Sequence, residues 1–148
     1  FVSSPLLNNH EHEGVVRLDH QLTTRDTLSG HYALFRQDDF EPFNQKFLFT
    51  PVSGGFKITA KHSGMGLDVG GGPAATFDGP SIIQWPYWGG SNEIFQVNPT
   101  SDGYVTINPT SSGKCFDVAG ISKDNGAPVI QWSCWGGDNQ KWTLSPVQ

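Results

Sequence analysis

His10-Glu11-His12-Glu13 sets two imidazoles and two carboxylates within four residues, and on a strand His10 and His12 would share one face. Imidazole is a common metal ligand. No third ligand follows at a fixed spacing, and the run lies close to the first residue, where solvated surface is the ordinary outcome. Asp38, Asp39 and Glu41 offer paired acids of the kind used in glycoside hydrolysis. That chemistry needs one carboxyl held protonated, and a polar turn supplies nothing to raise one. No nucleophile elbow, P-loop or dinucleotide fingerprint is present. Cys115 and Cys134 stand 19 residues apart, outside any Cys-x-x-Cys pair, so two buried thiols or one bridge both fit their placement. These residues predict no catalysis, no resident metal and no cofactor.

The elements that must position any site come from a chain rich in turn formers. There are 18 Gly and 10 Pro among 148 residues, aromatics make up 12% and charged residues only 16%. That mixture suits short strands joined by tight turns better than packed helices, and predicts an all-β fold. The length fits one domain with a real core. A net charge of −5 argues against nucleic acid and anionic membranes, which call for a basic face. No apolar run is long enough to span a bilayer as a helix, and no signal-peptide pattern opens the chain. Phe1 in place of a starting Met is expected of a mature, excised or partial chain.

Internal repeats are the strongest signal. Ile82-Ile83-Gln84-Trp85 recurs 47 residues on as Val129-Ile130-Gln131-Trp132, and Trp88-Gly89-Gly90 recurs as Trp135-Gly136-Gly137. Asn92-Glu93-Ile94-Phe95 recurs as Asn139-Gln140-Lys141-Trp142 at the same offset. Upstream, Gly64–Val69 matches Gly113–Val118 at an offset of 49, the slip falling in the Gly/Pro/Ala-rich stretch 70–79 where loop length varies. An earlier Asn44-Gln45-Lys46-Phe47 lies 48 residues before Asn92, so three units of about this length fill the chain. Phe56–Ala60 and Tyr104–Asn108 alternate as half-buried strands do, and Leu67–Val69, Ile82–Trp85 and Ile94–Val97 are short runs between turn signals.

The Asn-Gln-x-Trp closure, the Cys-x-Asp-Val segment and the Val-Ile-Gln-Trp-Ser-Cys run resemble ricin B-type lectins and family 13 carbohydrate-binding modules. The resemblance covers Asn44 to Gln148. It implies a β-trefoil, three four-stranded repeats forming a capped barrel, with residues 1–51 as an atypical or degenerate first repeat, 52–99 as the second and 100–148 as the third. It implies that Phe47, Phe95 and Trp142 meet near the axis. It also implies a Cys115–Cys134 disulfide within the third repeat, and with it a secreted, oxidising setting.

Residues 1–43 differ from the rest, with no Trp or Cys, four of the five His and seven of the 14 acids. Leu18-Asp19 lies 49 residues before Leu67-Asp68 and Ala33-Leu34-Phe35 lies 48 before Ser81-Ile82-Ile83, as a degenerate first repeat would. The runs 14–22 and 29–35, around the polar turn 23–27, also resemble a hairpin from the barrel of TonB-dependent receptors. Such a hairpin needs a partner surface, so the expectation is one that completes the trefoil.

By the family resemblance the third repeat's sugar site comprises Asp117, Trp132, Asn139 and Gln140; Trp135, followed by Gly136-Gly137, reads as an exposed aromatic and a second plate. A carboxylate accepts paired hydrogen bonds from vicinal hydroxyls, an indole face covers the apolar side of a sugar ring, and an amide donates and accepts. The family's Gln before the plate falls on Ile130, with Gln131 one place off. Asp117, taken as a surface carboxylate, is expected to be removable without loss of fold. In the competing reading Asp117 only satisfies turn amides and Trp132 is core. The second repeat offers Asp68, Trp85 and Asn92, with Glu93 where Gln is usual and Gly66 and Tyr87 where the cysteines would stand. The first repeat has Asp19, Gln37, Asn44 and Gln45 at these positions and no plate, so no site is expected there. The reading is a non-catalytic lectin module for galactose- or xylose-type sugars, its partners being carbohydrate and an appended catalytic domain or another copy of itself. The alternative is a self-assembling scaffold that uses its aromatic surface and an unpaired hairpin strand for packing.

Overall fold

The computed structural model describes the backbone of residues 14–20 and all of residues 46–146. His10–Glu13, Asp38, Asp39, Glu41, Gln37, Asn44, Gln45 and the 29–35 run lie outside the described residues. Ten strands are described: β1 (Gly14–His20), β2 (Lys46–Val52), β3 (Gly55–Ala60), β4 (Gly66–Val69), β5 (Ile82–Trp85), β6 (Phe95–Pro99), β7 (Val105–Pro109), β8 (Cys115–Val118), β9 (Val129–Trp132) and β10 (Trp142–Pro146). Every pairing is antiparallel. Six strands close a ring, β1–β2–β3–β6–β7–β10 and back to β1, while β4–β5 and β8–β9 stand off it as hairpins. That is a β-trefoil: a barrel built from the first and last strand of each unit, with the middle two strands of the units 52–99 and 100–148 standing as its capping hairpins.

The expected strands that fall among the described residues are present, with ends shifted by no more than two residues. Each barrel strand is short because Gly, Asn and Pro interrupt it, and alternation sends one set of side chains inward. Ile58, Phe95, Val105, Ile107, Phe116 and Trp142 fill the interior, with Phe49, Val69, Val118 and Leu144 around them. Phe116 sits between two other rings, 5.2 Å from Phe95 and 6.4 Å from Trp142 by centroids, both edge-on. The Trp142 indole N–H donates to the Phe116 carbonyl at 3.3 Å, which pairs the polar edge of a fully buried ring.

Phe47 corrects one expectation. It is only half-buried against this core, and Phe49, two residues on along the same strand face, is the buried aromatic of β2. Phe47 lies near the start of β2, whereas Phe49 pairs opposite the buried Ile58. Of the expected hairpin, whose 29–35 arm lies outside the described residues, the other arm is β1. The strand is hydrogen-bonded along both edges, Leu18 opposite Leu144 on β10 and Val16 opposite Phe47 on β2, so it offers no free edge for another chain.

Candidate functional site

The hairpin β8–β9 pairs Cys115 with Trp132 and Asp117 with Ile130, setting a carboxylate and an aromatic on neighbouring strands. The Asn108 side-chain amide donates to the Lys114 carbonyl at 2.9 Å, anchoring the start of β8 to the barrel. Cys115 and Cys134 are disulfide-bonded, with Cα atoms 5.2 Å apart, as the family resemblance implied. The bridge ties the segment after Trp132 to the strand that carries Asp117.

A single 3-10 turn, Asp138–Gln140, brings Asn139 and Gln140 beneath this hairpin. Gln140 is fully buried, and its Nε2 donates to Asp117 Oδ2 at 2.7 Å and to the Ser133 carbonyl at 3.0 Å. Its Oε1 accepts the Trp135 backbone N–H at 3.0 Å. Both ends of that amide are therefore occupied by protein. Asn139 donates from Nδ2 to the Val118 carbonyl at 3.2 Å, while its buried Oδ1 has no hydrogen-bond partner. Burial pushes the Asp117 carboxyl above the ordinary Asp range; hydrogen bonds from Gln140, Asn139 and the Trp135 side chain pull it back, and the Asp78 charge adds to the rise.

Asp117, Asn139, Ile130, Trp132 and Trp135 line an open depression of about 290 Å³, with Gly120 and Ile121 at its margin. Trp132 is 42% exposed and Trp135 57%, so neither ring is core. The Trp135 indole lies flat over Gly137, where any side chain would collide with it. Asp117, by contrast, is only 4% exposed. It is not the surface carboxylate expected, because Gln140 packs against it at the end of the β8–β9 hairpin. Gln131 points away from the depression. Its buried side chain donates to the Ala75 and Phe77 carbonyls of the preceding unit and accepts from Ser112 Oγ at 2.8 Å.

The second unit repeats the arrangement with one exchange. Asp68 on β4 pairs opposite Ile83 on β5, and the turn Ser91–Glu93 brings Asn92 and Glu93 beneath it. Trp85 and Trp88 are exposed, and the Trp88 ring covers Gly90 as Trp135 covers Gly137. Glu93 Oε2 accepts three backbone N–H groups, from Trp88 at 2.9 Å, Gly89 at 3.0 Å and Gly90 at 3.3 Å. Its buried Oε1 has no hydrogen-bond partner, and the buried Asn92 amide lies near Asp68 without meeting full hydrogen-bond geometry. Burial raises the Asp68 carboxyl first of all; Asn92 lowers it, and the Glu93 carboxylate raises it further. A β-carbon on Gly66 would stand 3.5 Å from that of Tyr87, so the two fill the disulfide position without a bridge.

Sequence reasoning missed the link between units. Lys114 Nζ pairs with Asp78 Oδ1 at 2.7 Å, and Ser133 donates its backbone N–H to the same oxygen at 2.8 Å. Gly79 N–H donates to the Gln131 carbonyl and Gln131 N–H to that of Pro80, both at 2.9 Å. Within the units, the Ser63–Gln84 and Ser112–Gln131 side-chain hydrogen bonds repeat in register, but only Gln131 also reaches the preceding unit. Ile121 was also missed; it is exposed at the margin of the depression with a positive φ of 55°. Asp19 lies on β1, of which only the backbone is described.

A six-stranded barrel capped by hairpins, each with a carboxylate, an amide and exposed indoles at its end, defines the ricin-like class of β-trefoil. The family model for ricin-type β-trefoil lectin domain-like proteins matches residues 43–132 and 101–148, and the chain belongs to that family. A designed threefold-symmetric protein, ThreeFoil, is 32% identical with a TM-score of 0.74, over 90% of this chain and 99% of its own. An exo-β-1,3-galactanase from Clostridium thermocellum is 31% identical with a TM-score of 0.69, over 91% of this chain but only 30% of the enzyme. A Macrolepiota procera ricin B-like lectin, solved with lactose, shares the fold at 19% identity and a TM-score of 0.67, over 90% of this chain and 95% of its own. No curated protein matches the chain. Among the described residues no helix is long and apolar enough to cross a membrane, and no cluster of three His, Cys, Asp or Glu could hold a metal.

Proposed function

We propose that this chain is a non-catalytic carbohydrate-binding module that takes galactose- or xylose-type sugars at two shallow sites, one in the unit 52–99 and one in 100–148. The observation that carries the reading is the third-unit depression. A carboxylate and an unpartnered amide oxygen lie at its floor, and two half-exposed indoles form its walls. Asp117 accepts from sugar hydroxyls, Asn139 completes the polar contacts, and Trp132 and Trp135 cover the apolar side of the ring. Gln140, with both amide ends engaged, aims Asp117 and needs no contact with sugar. Asp68, Asn92 and Trp85 play the same parts in the second unit.

Sugar binding to such an open surface is weak, with a dissociation constant of about 10 μM to 1 mM, because each hydrogen bond exchanged with water nets only about 1 kcal/mol. Two sites on one rigid body raise the avidity for a polymer. The similarity to part of a longer galactanase supports a setting beside a catalytic domain, and the disulfide supports secretion. The test compares wild type, Asp68→Asn, Asp117→Asn and the double variant on immobilised galactan and xylan. Each single variant should retain one site, and the double variant about a tenth or less of the wild-type affinity. A folded double variant that binds as wild type does would reject these sites.

A further inference from the structure

The two proposed sites differ at one buried position. In the third unit the neutral amide of Gln140 donates to Asp117 at 2.7 Å and leaves its other oxygen edge toward the depression. In the second unit a carboxylate takes that place. Glu93 Oε2 accepts three backbone N–H groups and is fixed by them. That leaves Glu93 Oε1 fully buried with no donor among the described residues, at the repeat position from which Gln140 Nε2 meets Asp117 in the third unit. Two carboxylates in contact in a buried site do not both ionise readily, and one proton between them satisfies both.

Among the described residues, the elements packed on β4 bring no cation to Asp68. The elements packed on β4 are β3, β5 and the turn 91–93. β3 carries Lys57, whose ammonium sits over the Tyr87 ring at 5.0 Å; β5 has no charged residue; the turn has Glu93. Burial and the Glu93 charge together raise the Asp68 carboxyl, with no cation among the opposing causes.

We propose that the Asp68–Glu93 pair makes the second site proton-coupled: sugar binds there with release of the proton the two carboxyls share, whereas the third site, with Gln140 in Glu93's place, binds with little release. This rests on the sugar-binding reading of both units. In the empty second site Asp68 holds the proton and donates it to Glu93 Oε1. An incoming sugar needs Asp68 as an acceptor for its hydroxyls, so its binding competes with that proton. Affinity at the second site therefore falls as pH drops, earlier than at the third. Glu93 is a positioning residue: it sets the protonation of Asp68 without meeting the sugar.

The experiment isolates the second site in the Asp117→Asn background and measures lactose binding by calorimetry in buffers of different ionisation enthalpy. Carboxyl titrations of Asp68 and Asp117 are followed by NMR on the free protein. Lactose binding should release about half a proton at the Asp68 midpoint, and Glu93→Gln should move that midpoint down and cut the release at the same pH at least threefold. In wild-type protein Asp68 should titrate above Asp117, a comparison that holds even if Glu93→Gln fails to fold. An Asp68 midpoint at or below that of Asp117, or one that Glu93→Gln leaves in place, overturns the proposal. Lactose bound without proton release overturns the coupling alone. A second site that takes no lactose, galactan or xylan at any pH overturns its sugar-binding reading and the coupling with it, while a high Asp68 midpoint would still show the shared proton.

Discussion

Asp117 carries a cost that Asp78 and Asp102 do not. Enclosed by Gln140 and the β8–β9 hairpin, its carboxyl binds a proton more tightly in the folded chain than in the unfolded one, as does that of Asp68. Asp78 and Asp102 lie in the open against Lys114 and Lys141, which hold them below the ordinary range. The signs follow from linkage. A raised carboxyl adds stability as pH falls through its folded-state value, and the gain is complete below the unfolded value of about 3.9. The lowered carboxyls oppose this, losing their contribution as pH falls through their own folded-state values, and their exposure keeps it small. Asp117→Asn should therefore be more stable than wild type at neutral pH, with the difference shrinking on acidification, because Asn retains an oxygen for the Gln140 amide. Thermal melts across the acid range check this; an Asn variant less stable at neutral pH would show that the ionised carboxylate contributes more to the fold than its burial costs. The same substitution should weaken the third site at least tenfold, the usual consequence of losing a charged acceptor.

At the scale of elements, the hairpins of the two fully described units differ in how they are stapled. Cys115 and Cys134 close the third-unit hairpin, and Gly66 and Tyr87 occupy the same geometry in the second. Introducing Gly66→Cys with Tyr87→Cys should form a bridge without moving the backbone. Its loop is about as long as the native one, so the gain is about 3 kcal/mol, less about 0.5–1 kcal/mol for the lost Lys57–Tyr87 contact. A melting temperature that rises under oxidising conditions only would confirm it. Successive units are joined by the loop 70–80 folding over β9, and Gln131 is the peg. Gln131→Ala leaves two carbonyls of that loop without donors and should cost about 1–3 kcal/mol. Faster amide exchange at Gly79 should accompany the loss. Unchanged stability and exchange would mean the loop is held by Asp78, Lys114 and Ser133 alone.

Over the whole molecule, β1 closes the ring by joining β10 to β2. The Phe95–Phe116–Trp142 stack sits inside that ring and joins the second unit to the third. Trp142→Ala should cost about 3–5 kcal/mol, since a closed barrel cannot collapse around so large a vacancy. Denaturant unfolding measures it, and a cost below about 1 kcal/mol would place the ring outside the shared core. The paired edges of β1 also weigh against assembly by strand addition at that strand.

The sequence by itself determined the repeat and therefore the fold class. Matching runs such as Ile82–Trp85 and Val129–Trp132 adopt matching strands because alternation and turn residues act over a few residues at a time. It determined which polar and aromatic residues gather at each hairpin end, since Asp117, Trp132 and Asn139 follow the family's order. Burial was not legible in that order. Asp117 reads as a surface acid until the 3-10 turn carries Gln140 against it, and Gln131 reads as a displaced sugar contact until the loop of another unit covers it. The exchange of Gln140 for Glu93 is visible as a letter, but its meaning lies in the contact with Asp68, more than 20 residues away. Local pattern sets which way a strand faces; what covers that face, and so whether a carboxyl there is free, paired or sharing a proton, is decided only when distant segments pack.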